Sequence, residues 1–367
     1  MKPKRILVNA LAVREGGSYS YMINLMRELA RDDRGLDWTI LAPPDGLEEV
    51  DWSGGRLERV SLPGHSLLRL PARILYEQMI LPRRARGFDL LYCVADMCPA
   101  WGSTPMVVLM KNLNIYDRQY YDDVRTNILV RLVRLGAPRA RFAVFPSQAA
   151  ADRIRHDIPI RPDRARVVHY GIDASAFDAA GRPVKMDEPY LFLAAAPERH
   201  KGIHTLISAL RHFEGRAPLV VIAGDSSLDP AYMGELQDLA EREGVAERVR
   251  FIGRVPYRDL LSYYRGAQAM VFPSMLESFG HPVLEAMVAG TPIVASDIPA
   301  FRELAGNVAL LVPPGDPRAL AAAVERLERE PEATAARVEK GRRRAAEYSW
   351  KSSIDSLCRV FEQVLEA

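Results

Sequence analysis

The 367 residues predict an α/β fold of two doubly wound, Rossmann-like domains. Short apolar runs alternate with helix-length segments, and the whole alternation occurs twice. The runs are nearly continuous in apolar residues, as expected of parallel strands covered by helices on both faces. A polar stretch containing Gly181 and Pro183, Asp173 to Asp187, separates the two series. The length also exceeds what one hydrophobic core usually organises.

The first series opens with Arg5 to Leu11. The basic start Met1-Lys2-Pro3-Lys4-Arg5 mimics a secretory leader, but the apolar stretch is short and runs into Arg14-Glu15, so it is read as a strand. Gly16-Gly17-Ser18 then turns the chain into a helix, Tyr19 to Ala30. Further strands are predicted at Trp38 to Leu41, Asp89 to Val94, Met106 to Met110, Phe142 to Phe145 and Arg166 to His169. The second series has strands at Tyr190 to Ala195, Leu219 to Ala223, Val249 to Ile252, Ala269 to Phe272, Pro292 to Ala295 and Ala309 to Val312. Lys201-Gly202 heads a helix, Ile203 to Phe213, and Pro282 opens a short helix that Gly290 stops. Domains are expected at residues 1–175 and 176–349, with an amphipathic helix after Tyr348-Ser349-Trp350.

Composition is ordinary for a folded protein, and no stretch approaches the roughly 18 apolar residues that cross a bilayer. Cys93, Cys98 and Cys358 are odd in number and lack metal-ligand spacing, so a disulfide framework is not expected and a reducing cytoplasm fits. The net charge of +2 is uneven. Residues 1–175 hold 26 Lys+Arg and 20 Asp+Glu, 26 − 20 = +6, leaving 2 − 6 = −4 for the rest. The first half is therefore expected to meet something anionic.

The most specific local pattern is Glu277-Ser278-Phe279-Gly280-His281-Pro282-Val283-Leu284-Glu285. The free N–H groups of the helix start, reached past a glycine, offer a seat for an anion. A phosphate there repels two carboxylates unless each serves a neutral, hydroxyl-bearing part of the same ligand, such as a sugar and a ribose. A plain capping role for Glu277 at the positive helix end is the simpler alternative.

Together with Gly253, Tyr264-Arg265-Gly266-Ala267, Phe272-Pro273-Ser274, Ala289-Gly290-Thr291-Pro292, Glu303 and Pro314, this pattern resembles the donor-binding half of retaining glycosyltransferases of family 4. More weakly, the resemblance extends over nearly the whole chain. It implies the GT-B architecture, two Rossmann-like domains facing a central cleft, with the last helix returning to the first domain. It also implies that Glu285 holds the ribose of a nucleotide sugar, Phe279, Gly280 and His281 take the diphosphate, and Glu277 contacts the sugar. Lys201 matches the family's lysine on the donor phosphates, Gly16-Gly17 its glycine pair, and Arg254-Val255 the loop that meets the base. Gly224, Ser147, Tyr170-Gly171-Ile172-Asp173 and Glu303 are further matches.

Two departures stand out. The arginine usual five or six residues before the lysine is replaced by Ala195 and Ala196, a loss of about 2 to 4 kcal/mol of leaving-group stabilisation unless replaced. Arg199, or His200, is the nearest substitute. Where the family often has a histidine beside the reacting sugar, this chain has Lys111-Asn112. Lys111 is then a charge or hydroxyl ligand, since a lysine acts as a base only when its pKa is depressed. Asn112 would bind the acceptor side, and a simple strand-end loop is the alternative for both. No Asp-x-Asp pair offers to hold a divalent cation on a diphosphate, so cationic side chains and helix amides must do so, and no metal cofactor is expected.

The segment Leu67 to Arg86 mixes apolar residues with Arg69, Arg73, Arg83, Arg84 and Arg86. It either packs on its own domain or lies on an anionic membrane surface. The resulting expectation is a metal-independent, retaining transferase using a nucleotide sugar and a glycan or lipid-linked acceptor. The enzyme would be cytoplasmic or peripheral to the inner membrane face, with no nucleic-acid partner. Another GT-B sugar-nucleotide enzyme, an epimerase or phosphorylase, or a non-catalytic binding partner, is the alternative. A dehydrogenase is disfavoured, because no Gly-x-Gly-x-x-Gly follows the first strand of either domain.

Overall fold

The computed structural model describes residues 3–14, 16–47, 52–62, 69–120, 123–174, 182–227 and 229–366. Leu67, Leu68 and much of the 173–187 stretch lie outside them. The chain divides into two compact units, Met1–Gly171 with Trp350–Ala367, and Ile172–Ser349.

The first unit is built on a seven-stranded sheet. Its strands are β1 (Lys4–Asn9), β2 (Leu36–Ala42), β3 (Gly55–Arg59), β4 (Leu90–Cys93), β5 (Met106–Leu109), β6 (Phe142–Phe145) and β7 (Ala165–Val167). Their order is β3-β2-β1-β4-β5-β6-β7, and every neighbouring pair is parallel. The central strands β4, β5 and β6 are buried along their whole length, as their unbroken apolar sequences require. β3 is the strand absent from the sequence reading. Its sequence, Gly-Arg-Leu-Glu-Arg, sits at the sheet edge with no buried residue and carries no apolar signal.

Helix α1 (Gly16–Leu29) packs against the C-terminal helix Trp350–Leu365 in this unit. Phe361 packs its ring against Trp38 and Tyr92, at 5.9 and 5.1 Å between centroids, and Trp350 meets Tyr21 and Tyr170. Arg34 ties the contact down by reaching Asp355 at 2.5 Å.

Helix α2 (Arg69–Leu75) continues through a π-helical turn, Tyr76–Ile80, into α3 (Leu81–Ala85). Part of the predicted amphipathic stripe does pack inward: Tyr76, Glu77, Leu81, Pro82 and Ala85 are buried. Leu75, Met79 and Ile80 are exposed.

The second unit holds six parallel strands, β8 (Tyr190–Ala194), β9 (Leu219–Ala223), β10 (Val249–Phe251), β11 (Ala269–Phe272), β12 (Ile293–Ser296) and β13 (Leu310–Val312). They are ordered β10-β9-β8-β11-β12-β13. In both sheets the winding reverses once, between β1 and β4 and between β8 and β11. The carboxyl ends of those strands are where open α/β sheets bind ligands.

Candidate active site

In the second unit, Lys201 follows β8 and Glu277 follows β11, so the reversal point lies directly between them. Gly202 has φ +67°, and a Cβ there would collide with the Pro273 carbonyl oxygen. The glycine thus lets the loop after β8 lie against the loop after β11. The carbonyl of His200 fixes that contact by accepting from the Met275 N–H at 2.7 Å and the Ser274 hydroxyl at 3.1 Å. Lys201 Nζ meets Glu277 Oε1 at 2.8 Å, and Ser274 Oγ lies 3.0 Å from the same oxygen. Both charged side chains are mostly buried, 18 and 12 % exposed.

The helix carrying the second carboxylate is His281–Ala289, one residue longer at its start than predicted. Pro282 sits in its first turn and Gly290, in the left-handed conformation, ends it. Gly280 has φ +105°, and a Cβ there would lie 2.7 Å from the Phe301 ring. Its lack of a side chain therefore answers interior packing and backbone conformation, not only the approach of a ligand. The Gly280 carbonyl accepts from the Val283 and Leu284 N–H groups. The Gly280 N–H has no acceptor among the described residues. Phe279 is buried, its ring set edge-on to His281 and Tyr348.

Glu285 is 8 % exposed and accepts from the Tyr264 hydroxyl at 2.8 Å. Thr291 holds Tyr264 in turn, donating to its carbonyl at 2.6 Å. Burial pushes the Glu285 carboxyl up to about 7, and the Tyr264 bond only partly offsets it. A carboxylate kept at this disadvantage beside a helix start fits a ligand site better than a packing role.

Arg199, the nearest substitute for the missing arginine, is engaged within the second unit. Its guanidinium forms a forked pair with Glu235, at 2.8 and 2.5 Å, and lies over the Tyr232 ring, both on the Pro230–Arg242 helix. His200 is buried and held down at about 3, chiefly by desolvation, so it carries no charge at neutral pH. Neither is a free cation for a diphosphate. Arg199→Ala is accordingly expected to change nucleotide affinity less than about twofold and stability by under about 0.5 kcal/mol, as for an exposed pair. Calorimetric titration and thermal unfolding check both.

Gly224 serves backbone packing: a Cβ there would strike the Ala195 carbonyl, and its N–H donates to the Gly253 carbonyl at 2.9 Å. Arg254 is exposed and Val255 half-buried on the loop after β10.

In the first unit, Gly16 and Gly17 are exposed at the start of α1, and a Cβ at either meets nothing within 4 Å. Nothing in the protein's own packing requires glycine at Gly17. Lys111, after β5, has its Nζ buried without a hydrogen-bond partner among the described residues, 5.3 Å from the Tyr21 ring. Burial brings its pKa down to about 8. Asn112 Oδ1 caps the short Leu113–Tyr116 helix by accepting from the Asn114 N–H at 3.2 Å, so that oxygen is committed to the fold. Among the described residues no group of three His, Cys, Asp or Glu side chains is arranged to hold a metal.

Known families account for both halves. Residues 15–176 match the family described as Glycosyltransferase Family 4, and residues 176–344 match Glycosyl transferases group 1. The chain belongs to the family 4, group 1 glycosyltransferases. It is 28 % identical over 202 residues to the O-antigen chain mannosyltransferase RfbU of Salmonella typhimurium, covering 55 % of each chain. It is 31 % identical over 242 residues to D-inositol 3-phosphate glycosyltransferase of Corynebacterium jeikeium, covering 65 % of this chain and 53 % of that one. The chain thus spans about half the length of the curated relatives it matches. Among solved structures, sucrose-phosphate synthase of Thermosynechococcus elongatus superposes with TM-score 0.81 at 20 % identity, over 99 % of both chains. HepE of Anabaena, solved with UDP and glucose, gives 0.76 at 18 %, over 98 % of this chain and 100 % of that one. The fold is GT-B.

Sequence reasoning missed two residues of the first unit. Asp96, just after β4, is 6 % exposed with φ +44°, unusual for a residue with a side chain. Its Oδ1 accepts from the Lys111 and Asn112 N–H groups, at 3.0 and 3.1 Å, and burial pushes its carboxyl up to about 6. Glu77, on the π-helical turn, accepts from Asn9 at 3.0 Å with Arg73 at 3.8 Å, and its Oε2 is buried without a partner among the described residues. A lone acid behind an apolar strand was the only hint of Asp96. Glu77 lay within a stripe read for its leucines and arginines.

Proposed function

We propose that this glycosyltransferase moves a sugar from a nucleotide diphosphate donor to a hydroxyl of a glycan or lipid-linked acceptor, with retention and without a metal ion. The observation that carries the proposal is the Lys201–Glu277 pair at the reversal point of the second sheet, beside the Gly280 helix start. The ammonium can bridge the donor phosphate and Glu277, which holds the carboxylate toward the sugar. Gly280 and His281 offer the positive end of a helix to the diphosphate. Glu285 is placed to accept from the ribose hydroxyls.

In the reaction so proposed, the bond between the anomeric carbon and the diphosphate oxygen breaks as the acceptor oxygen bonds the same face. The acceptor proton passes to the departing phosphate, whose growing charge meets Lys201 and the helix amides. Glu277 orients and need not attack. Lys111, with its unpartnered ammonium, would bind the acceptor side or the reacting sugar. The names of the relatives support a glycan or lipid acceptor: one is an O-antigen chain mannosyltransferase, another a phosphatidyl-myo-inositol mannosyltransferase. The HepE structure with UDP-glucose supports the donor class.

The test begins with thermal shifts against UDP-, GDP- and TDP-sugars, since a ligand of the folded form raises the melting temperature. The stabilising donor is then incubated with glycan and lipid-linked acceptors in EDTA, and the product linkage is read by NMR. An axial donor bond giving an axial product is expected. An inverted product, or transfer restored only by added metal, refutes that part of the reading.

Ala195 and Ala196, with Arg199 engaged by Glu235, favour a second reading in which the chain binds nucleotide sugars without turning them over. Tight donor binding with neither transfer nor isomerisation of the donor would establish it.

A further inference from the structure

Eight large apolar side chains are exposed among the described residues, and seven belong to the first unit: Leu75, Met79, Ile80, Trp101, Val124, Ile128 and Leu135. Three lie on helix α4 (Val124–Gly136), which Asp123 caps at its start. At 100° per residue, Val124, Ile128, Arg131 and Leu135 form one narrow stripe, and Arg125 and Arg134 flank it on opposite sides. The stripe is solvent-facing, not core-facing: Val124 is 76 % exposed, while Thr126, Val133 and Gly136 are buried on the other face.

The second group lies on α2 and the π-helical turn, with Trp101 beside them. Residues 97–102 link it to α4. The Cys98 carbonyl accepts from the Gln78 amide at 3.2 Å on one side. On the other it lies so close to Gly136 that a Cβ there would collide with it. Trp101 donates to the Gln78 carbonyl at 2.6 Å, and Arg83 stacks on its ring at 5.1 Å.

Charge on these helices has one sign. The helical segments 69–85 and 124–136 contain seven arginines, and their only carboxylate is Glu77, which is buried. Arg69, Arg73 and Arg84 have carboxylate partners, in Asp45, Glu77 and Glu58. Arg83, Arg131 and Arg134 have none among the described residues.

We propose that this face of the first unit docks on an anionic lipid surface. Its apolar centre would enter the interface, and its arginines would meet the headgroups while their stems lie along the apolar side chains. A second copy of the chain is the obvious competitor. A two-fold contact through this face would oppose arginine to arginine, whereas an anionic bilayer neutralises them. Asp96, two residues from Cys98, is also the residue that holds Lys111 and Asn112, so the docked face lies next to the proposed acceptor side. The inference stands apart from the identity of the donor and from turnover.

The test is co-sedimentation with vesicles of phosphatidylcholine alone and of phosphatidylcholine with one-third phosphatidylglycerol. Binding is expected to be at least about tenfold stronger to the anionic vesicles and to weaken steeply with salt. Arg131→Ala should weaken it about fivefold, one arginine near a charged surface. Met79→Glu with Ile128→Glu should abolish it while leaving the melting temperature and nucleotide binding unchanged. No partition onto anionic vesicles, or equal partition of the double variant, overturns the proposal. So does a dimer in sedimentation velocity that the double variant dissociates and that binds no vesicles.

Discussion

Glu285→Gln is expected to make the protein relatively more stable as pH rises while weakening nucleotide binding. The carboxyl has a raised folded-state value, about 7 against its usual 4.5. The folded protein therefore keeps a proton that the unfolded chain has already released between those values. Stability from this group is fullest below about 4.5, declines as pH rises through about 7, and is constant above. The interval corresponds to about 3 kcal/mol. The difference in stability between Glu285→Gln and the parent should grow by about that amount across the window, whatever its value at low pH. Denaturant unfolding from pH 4.5 to 8.5 reads it directly.

Binding should move the opposite way. An ionised Glu285 is the better acceptor for ribose hydroxyls, so parental nucleotide affinity should rise through about pH 7. The variant should show no such rise and bind about 10- to 100-fold more weakly, the loss of a charge-assisted hydrogen bond. A flat stability difference would show that the carboxylate is solvated, and unchanged affinity would remove Glu285 from the donor site.

Lys201→Met has the largest expected effect on turnover. Without its ammonium, Glu277 keeps only Ser274 as a partner among the described residues, in a mostly buried position. Breaking a buried pair costs about 3 to 5 kcal/mol, and the residual exposure of both groups lowers this to about 2 to 3. Adding Glu277→Gln should recover most of that stability, because a neutral amide replaces the stranded charge. It should not recover transfer. Loss of one electrostatic contact to the leaving group lowers kcat by about 10² to 10³, and the double variant should stay at the lower level. Additive effects on stability, or transfer restored in the double variant, would contradict the paired role.

The fold was largely legible in the sequence because buried parallel strands write themselves as apolar runs. β6, β9 and β11 begin and end as expected, and the other predicted strands differ by one or two residues at an end. β3 escaped because an exposed edge strand needs no such run. At the site, the helix start and its two glycines were recognisable from chemistry that is local in sequence. The pairing of Lys201 with Glu277 was not, because 76 residues separate them, and the packing of Gly202 against Pro273 and the bonds to the His200 carbonyl bring them together. The partner of Arg199 was hidden for the same reason. A forked donor near a lysine looks available until Glu235, 36 residues on, is seen to occupy it. The strain at Asp96 and the burial of Glu77 belong to tertiary structure and had no counterpart in residue type.

The helix Trp350–Leu365 covers rings of the N-terminal sheet, yet the chain makes it after the whole of the second unit. During synthesis, Trp38 and Tyr92 therefore lack the Phe361 ring until residues 350–365 emerge from the ribosome. The second unit, contiguous from residue 172 to 349, can fold before the first is finished. Domain order along the gene is thus the reverse of the order in which folding can be completed. Stopping translation after residue 349 would leave a hydrophobic wound that invites aggregation.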